Sequence, residues 1–427
     1  MHQQLLQLNK ALRQHYVLIL SVAYIATLPL YIGEILTTDA AYIFGKYINY
    51  LHIRVTLRFL LGTILLGAIL WQNKAFLKEW AKKYRFFITS GILFLLYASI
   101  IPFVNGALTT MSNFSALYTA SISNLFFTIV NLIAVVCATI QVLQSAQRYH
   151  GKIAGTLATS LALQGLFAVN QFLAKGPWLP NVHTWTGQPA VFTSNAFWGI
   201  TEYFRIYGTT PHPNILATIL CFFLVIIFFL AIPKTYKVAI AAGIILLILG
   251  TLSRVGIAAS ICVTALYLTR HWTDKLTVKY LKLAVPLIVS SIYLLPLLLS
   301  HIPIAFSALP FLESRRIIAT LYNELLTNTP LLFAHGTGFV LSIPTLLATS
   351  KELPTSIIWG NQILAEPPHN IAQLLLVEFG IIGTGLISLI VYASAALVEI
   401  RKIPKWIILS LFLLLLLWGS FDHLLVY

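Results

Sequence analysis

Apolar stretches long enough to cross a bilayer recur from one end of this chain to the other. They fall near residues 16–33, 55–71, 86–104, 118–143, 153–174, 214–232, 238–252, 255–269, 283–300, 371–397 and 406–421. A hydrocarbon core about 30 Å thick calls for roughly 20 apolar residues in a helix, and only helices and closed barrels satisfy their own backbone there. The expected architecture is therefore all-α: a polytopic integral membrane protein in which residues 1–427 form a single transmembrane domain of about 11–12 helices. Composition agrees, with 59% hydrophobic residues and 9% Asp, Glu, Lys and Arg, where soluble domains carry about 25% charged residues. A soluble enzyme, a secreted disulfide scaffold and a disordered protein are excluded. Cys137, Cys221 and Cys262 each lie inside an apolar stretch, so neither a disulfide nor a zinc site is expected.

The net charge of +15 is distributed like a topology signal. Of 27 Lys and Arg, 18 fall in six short clusters: Lys10/Arg13; Lys74 to Arg85; Arg148/Lys152; Lys234/Lys237; Arg270 to Lys282; and Arg401/Lys402/Lys405. The clusters alternate with the apolar spans so that all six can share one side, as the positive-inside rule requires. No nucleic acid is needed to explain the basicity. This places the N-terminus inside, with residues 1–15 as an interfacial segment and 16–33 as an uncleaved first helix rather than a signal peptide. Two substantial loops, 175–213 and 301–370, then face outward, the larger between the ninth and tenth spans.

Residues 238–269 carry a single charge, Arg254, between two basic clusters. One helix over that length would run about 48 Å, too long for the core, and would put positive charge on both sides. A hairpin turning at Leu252-Ser253-Arg254 resolves both conflicts, with Gly250 and Gly256 easing the turn. Its arms are short, so the turn is expected in a cavity below the outer surface. An arginine there has two readings. It pairs with a neighbouring helix, Glu378 being the acidic candidate, or it binds an anion, because a planar, permanently charged fork suits phosphate. Glu202, Arg205, His212 and Asn214 precede the sixth span, either as an ordinary loop-to-helix junction or as part of the same site. Arg315 and Arg316 lie in the large loop. His369 and Asn370 open the tenth span, and Glu378 follows with Gly380, Gly383 and Gly385 behind it.

Phosphate-loop, dinucleotide and zinc-protease motifs are absent, as is an aspartate-rich pair for a divalent cation. No metal and no cofactor are expected. Outward-facing arginines without access to activated nucleotides suggest a donor already carried across the membrane.

Taken together, several segments resemble the O-antigen ligase and O-antigen polymerase superfamily, membrane glycosyltransferases of the C type. They are Arg205…Gly208-Thr-Thr-Pro-His212-Pro-Asn214 opening a span, Leu249-Gly-Thr-Leu-Ser253-Arg254-Val-Gly256 at a hairpin turn, His335-Gly-Thr-Gly338 in the long loop, and Pro368-His369-Asn370 with Glu378-Phe-Gly380. Their order and side agree with that family over about residues 200–400.

The resemblance implies a metal-independent enzyme of the bacterial inner membrane with its active site facing the periplasm. Such an enzyme transfers a glycan from undecaprenyl pyrophosphate to an acceptor hydroxyl, on lipid A-core or another saccharide. It implies catalytic roles for Arg254, Arg316 and His369, and substrate binding by Arg205, Arg315, His212, Asn214, Ser253 and Asn370. The arginine of the large loop that meets the pyrophosphate is Arg316 or Arg315. Ligation to lipid A-core is the first expectation; polymerisation and transfer to protein hydroxyls share the motifs. A lipid or polysaccharide transporter is the alternative of a different class. Eleven apparent spans depart from the family's usual twelve, and a further helix among residues 34–53 or a shortened C-terminus would explain the difference.

Overall fold

The structure, a computed structural model, describes residues 15–30, 33–35, 42–43, 46–47, 54–72, 85–104, 109, 114–174, 193–194, 203–210, 212–273, 275, 358–359, 362–363, 371–397 and 404–421. Most of these are helical. The apolar stretches become α1 (His15–Ala26), α2 (Leu57–Gln72), α3 (Arg85–Ile100), α4 (Phe114–Ala174), α5 (Pro213–Phe229), α6 (Lys234–Gly250), α7 (Arg254–Leu268), α8 (Ile371–Leu397) and α9 (Lys405–Phe421). The span expected at 283–300, and all of the loop 301–370 except residues 358–359 and 362–363, lie outside the described residues.

Helix α5 is apolar on every face and occupies the centre of the main core. Leu216, Ala217, Leu220, Cys221, Phe223 and Leu224 are all buried, as expected of a helix without a polar stripe. It packs against α4, α6, α7 and α9. Helices α6 and α7 form the hairpin expected at Leu252-Ser253-Arg254, but the glycines do a different job from the one the sequence suggested. The left-handed turn residue is Leu252, at φ 49°. Gly250 and Gly256 instead make room: a Cβ on Gly250 would lie 2.6 Å from Ile206 Cδ1, and one on Gly256 2.6 Å from Ala217 Cβ. Cys221, one turn beyond Ala217 on α5, donates its thiol to Gly256 O at 3.5 Å. Small residues thus bring α5 and α7 into backbone contact.

Helix α4 runs for 61 residues and leaves helical geometry at Tyr149 (φ −121°, ψ 22°). It is the one helix among the described residues long and apolar enough to cross a membrane. Its contacts show that it doubles back. Tyr24 Oη donates to Asn131 O at 3.1 Å, while Ser160 Oγ donates to Ala26 O at 2.6 Å. A straight helix would hold Asn131 and Ser160 about 43 Å apart, yet both touch residues two positions apart on α1. The ring of Tyr149 lies 5.5 Å from that of His15 at the other end of α1. The fold-back falls within residues 144–152, the connection expected between the fourth and fifth spans.

Helix α8 packs on α3 and contacts α9. It breaks at Gly380, whose φ of 61° and ψ of −173° belong to a region essentially reserved for glycine. Tyr97 Oη of α3 donates to Phe379 O at 2.9 Å beside the break.

Short strands qualify the all-α expectation. β1 (Gly33–Ile35) pairs antiparallel with β4 (Arg54–Thr56), with Glu34 opposite Val55. β2 (Tyr42–Ile43), β3 (Lys46–Tyr47), β7 (Ile358–Trp359) and β8 (Gln362–Ile363) form a four-stranded sheet in the order β2-β3-β8-β7. Where a twelfth helix was sought among residues 34–53, the described residues are extended. The parallel pairing of Tyr47 with Gln362 brings this segment against the end of the large loop. β5 (Thr193–Ser194) and β6 (Tyr203–Phe204) pair antiparallel just before Arg205.

Candidate functional site

The segment 205–214 descends from β6 into α5, and the fold holds it from three sides. Gln171 of α4 is fully buried. Its Oε1 accepts from Tyr207 N at 3.1 Å and Gly208 N at 2.9 Å, and its Nε2 donates to Gly208 O at 2.6 Å. Gln164, two turns earlier on the same face, accepts from Thr209 N at 2.9 Å and donates to Thr209 Oγ1 at 2.7 Å. Thr209 Oγ1 in turn donates to Pro29 O at 2.7 Å. Two side-chain amides thereby satisfy backbone that would otherwise be stranded in an apolar core. Gly208, at φ 57°, has no room for a Cβ because Gln164 Oε1 already occupies that space. Burial pushes the Tyr207 phenol up to about 12, so the group is a neutral phenol at any ordinary working pH.

From the third side comes the α6–α7 turn. Ile206 N donates to Gly250 O at 3.1 Å, and Arg205 Nε donates to Thr251 O at 2.9 Å. Arg205 Nη2 donates to Asn214 Oδ1 at 2.8 Å. One guanidinium thus ties the turn between α6 and α7 to the first turn of α5. The resemblance made Arg205 a substrate ligand; its geometry makes it a brace first.

Both helices that begin here are capped by residues assigned to substrate binding. His212 precedes α5, and its Nδ1 accepts from Asn214 N at 3.1 Å, which places the proton of the neutral ring on Nε2. Pro213 sits at the first helical position, where its missing N–H costs nothing. Ser253 precedes α7 and accepts from Gly256 N at 3.2 Å; it is 1% exposed. Its hydroxyl serves the helix and does not open toward solvent. Thr251 Oγ1 accepts from Ser253 N at 3.2 Å and donates to Ile248 O at 2.6 Å, closing the turn.

Arg254 differs from its neighbours. It is the first residue of α7 and is exposed, and the positive end of the helix dipole adds to its own charge. Arg205, His212, Asn214, Ser253 and Arg254 are therefore gathered at one place. Glu378 is buried at 1% exposure on α8, two residues before the Gly380 break. Arg315, Arg316, His369 and Asn370 lie outside the described residues; in the sequence, His369 and Asn370 are the two residues before α8. Among the described residues, no three His, Cys, Asp or Glu side chains come together as metal ligands would.

Sequence reasoning missed Gln164, Gln171 and Thr251. A signal for the glutamines was present: two amides seven residues apart lie on one helical face inside an apolar stretch.

No family model matches the chain, and no characterised protein or solved structure matches it either.

Proposed function

We propose that the chain is a polytopic membrane glycosyltransferase. In this reading it transfers a glycan from a lipid pyrophosphate to an acceptor hydroxyl on the periplasmic side of the inner membrane, with O-antigen ligation to lipid A-core as the leading case. The observation that carries the reading is the convergence of two motifs 46 residues apart. Arg205 binds Thr251 O while Ile206 N binds Gly250 O, which gathers the starts of α5 and α7, Arg205 and exposed Arg254 at one place. Exposed Arg254, at the positive end of α7 on a turn braced by Arg205, offers a planar cation suited to a diphosphate. The outer faces of several helices are also apolar, as lipid contact would require: Leu60, Ile64 and Trp71 on α2, Leu166 and Phe172 on α4, and Leu246 on α6 are exposed.

The acceptor oxygen attacks the anomeric carbon as the carbon–oxygen bond to the pyrophosphate breaks. His369 takes the hydroxyl proton, and the diphosphate leaves on its lipid with its growing negative charge stabilised by Arg254 and by Arg316 or Arg315. Arg205 positions the turn that carries Arg254. His212 and Asn214 hold the start of α5. Retention chemistry with paired carboxylates is not required, and neither is a metal.

The deciding assay is glycan transfer from purified lipid-linked donor by the full chain in detergent. Arg254→Lys keeps charge but loses the fork; we expect a folded protein with donor use reduced about 10- to 100-fold, the loss of one strong charge-assisted bond. A fully active Lys variant would make Arg254 a structural ion-pair partner. His369→Ala should lower transfer about 10²- to 10⁴-fold while donor binding persists, and EDTA should leave the wild type unchanged. A requirement for added Mg²⁺, or normal turnover in the His369 variant, would overturn the mechanism.

A further inference from the structure

The opposite end of the α6–α7 hairpin carries a second cationic site. There the ends of α5 and α7 meet the starts of α6 and α9. Tyr267 stacks on Phe228 with centroids 4.3 Å apart and planes 9° from parallel, and Trp406 abuts it edge-on at 5.5 Å. Two cations share this one ring: Arg270 Cζ lies 4.6 Å and Lys237 Nζ 5.6 Å from its centroid. Each spends a donor on a helix C-terminus. Lys237 Nζ bonds Phe228 O at 3.0 Å, and Arg270 Nη1 bonds Tyr267 O at 3.0 Å. Three ammonium protons and five guanidinium protons leave donors over, and both side chains are only half-buried.

Lys237, Arg270 and Lys405, one from each of three basic clusters of the sequence, thus come to the same end of the hairpin. Over residues 234–237, 270–282 and 399–405 the chain has nine Lys and Arg against Asp274 and Glu399. Apolar side chains lie exposed beside the pair: Trp272 at 76%, Tyr236 at 67% and Leu268 at 67%. A soluble anion has no use for such neighbours, whereas a phospholipid offers a phosphate and an acyl chain together. We infer that Lys237 and Arg270, around Tyr267, form a binding site for the phosphate of an anionic phospholipid, with Trp272 at the headgroup level.

The inference rests on the polytopic reading, and the experiment separates the two. The full chain, purified in detergent, is titrated with phosphatidylglycerol and with phosphatidylcholine, and bound lipid is read by native mass spectrometry. Phosphatidylglycerol should be retained preferentially. Lys237→Gln and Arg270→Gln should each weaken its retention about 5-fold, and Lys237→Arg should preserve it. Equal retention of the two lipids would overturn the site, as would competition by inorganic phosphate as effective as that by phosphatidylglycerol. Should a Gln variant fail to fold, the preference of the wild type decides. Release of the chain from membranes by carbonate without detergent would instead sink the polytopic reading itself.

Discussion

Gln171 shows how much one side chain can organise inside an apolar core. Its amide makes three hydrogen bonds to Tyr207 and Gly208, and each backbone group left without a partner after truncation loses its water as well as its bond. Gln171→Ala should cost roughly 2–4 kcal/mol, since buried unsatisfied groups cost about 1–3 kcal/mol each. Thermal unfolding of the purified protein measures this, and a shift no larger than that of a surface substitution would refute the assignment. The same logic separates Arg205 from Arg254. Both carry the same charge, but Arg205 is committed to Thr251 and Asn214 while Arg254 is exposed at the start of α7. The family resemblance made both of them ligands. The choice between brace and ligand depends on acceptors that lie 9 and 46 residues away, which no local pattern reveals.

At the scale of elements, helix positions follow the hydropathy pattern closely, because burial of apolar side chains and local capping decide where a helix starts. Pro213 and Ser253 mark the starts of α5 and α7 in the sequence itself. How two elements approach is another matter. Gly256 meets Ala217 so closely that Gly256→Leu must push α7 away from α5. Overpacking of this kind typically costs about 1–3 kcal/mol, and here it would also displace Ser253 and Arg254. We expect lowered thermal stability together with loss of transfer, whereas Gly385, with open space around its Cα, should accept alanine without effect. Stability unchanged in Gly256→Leu would mean that the α5–α7 contact is looser than described. The break at Gly380 was equally hidden: the sequence offered three glycines for helix packing, and only the backbone shows that this one ends a helical run at φ 61°.

For the molecule as a whole, the prediction concerns sidedness. With Cys137, Cys221 and Cys262 replaced, a single cysteine at position 345 should react with an impermeant thiol reagent in intact cells, and one at position 279 should not. The reverse result would place the chemistry on the cytoplasmic side and exclude a donor that reaches the enzyme from outside. The structure does bring the Lys237 and Arg270 clusters to one end of a hairpin, around Tyr267, with Arg254 at the other. By itself the sequence determined the helical character, the positions of the segments and the grouping of basic residues at helix ends. Each of these follows from local hydropathy, local capping and charge counted along the chain. Only the tertiary structure decided that α4 doubles back at Tyr149, that Gln164 and Gln171 grip the turn entering α5, and that Arg205 joins two motifs. Those outcomes rest on hydrogen bonds between residues 36 to 134 positions apart, and packing selects such partners where sequence spacing leaves them open.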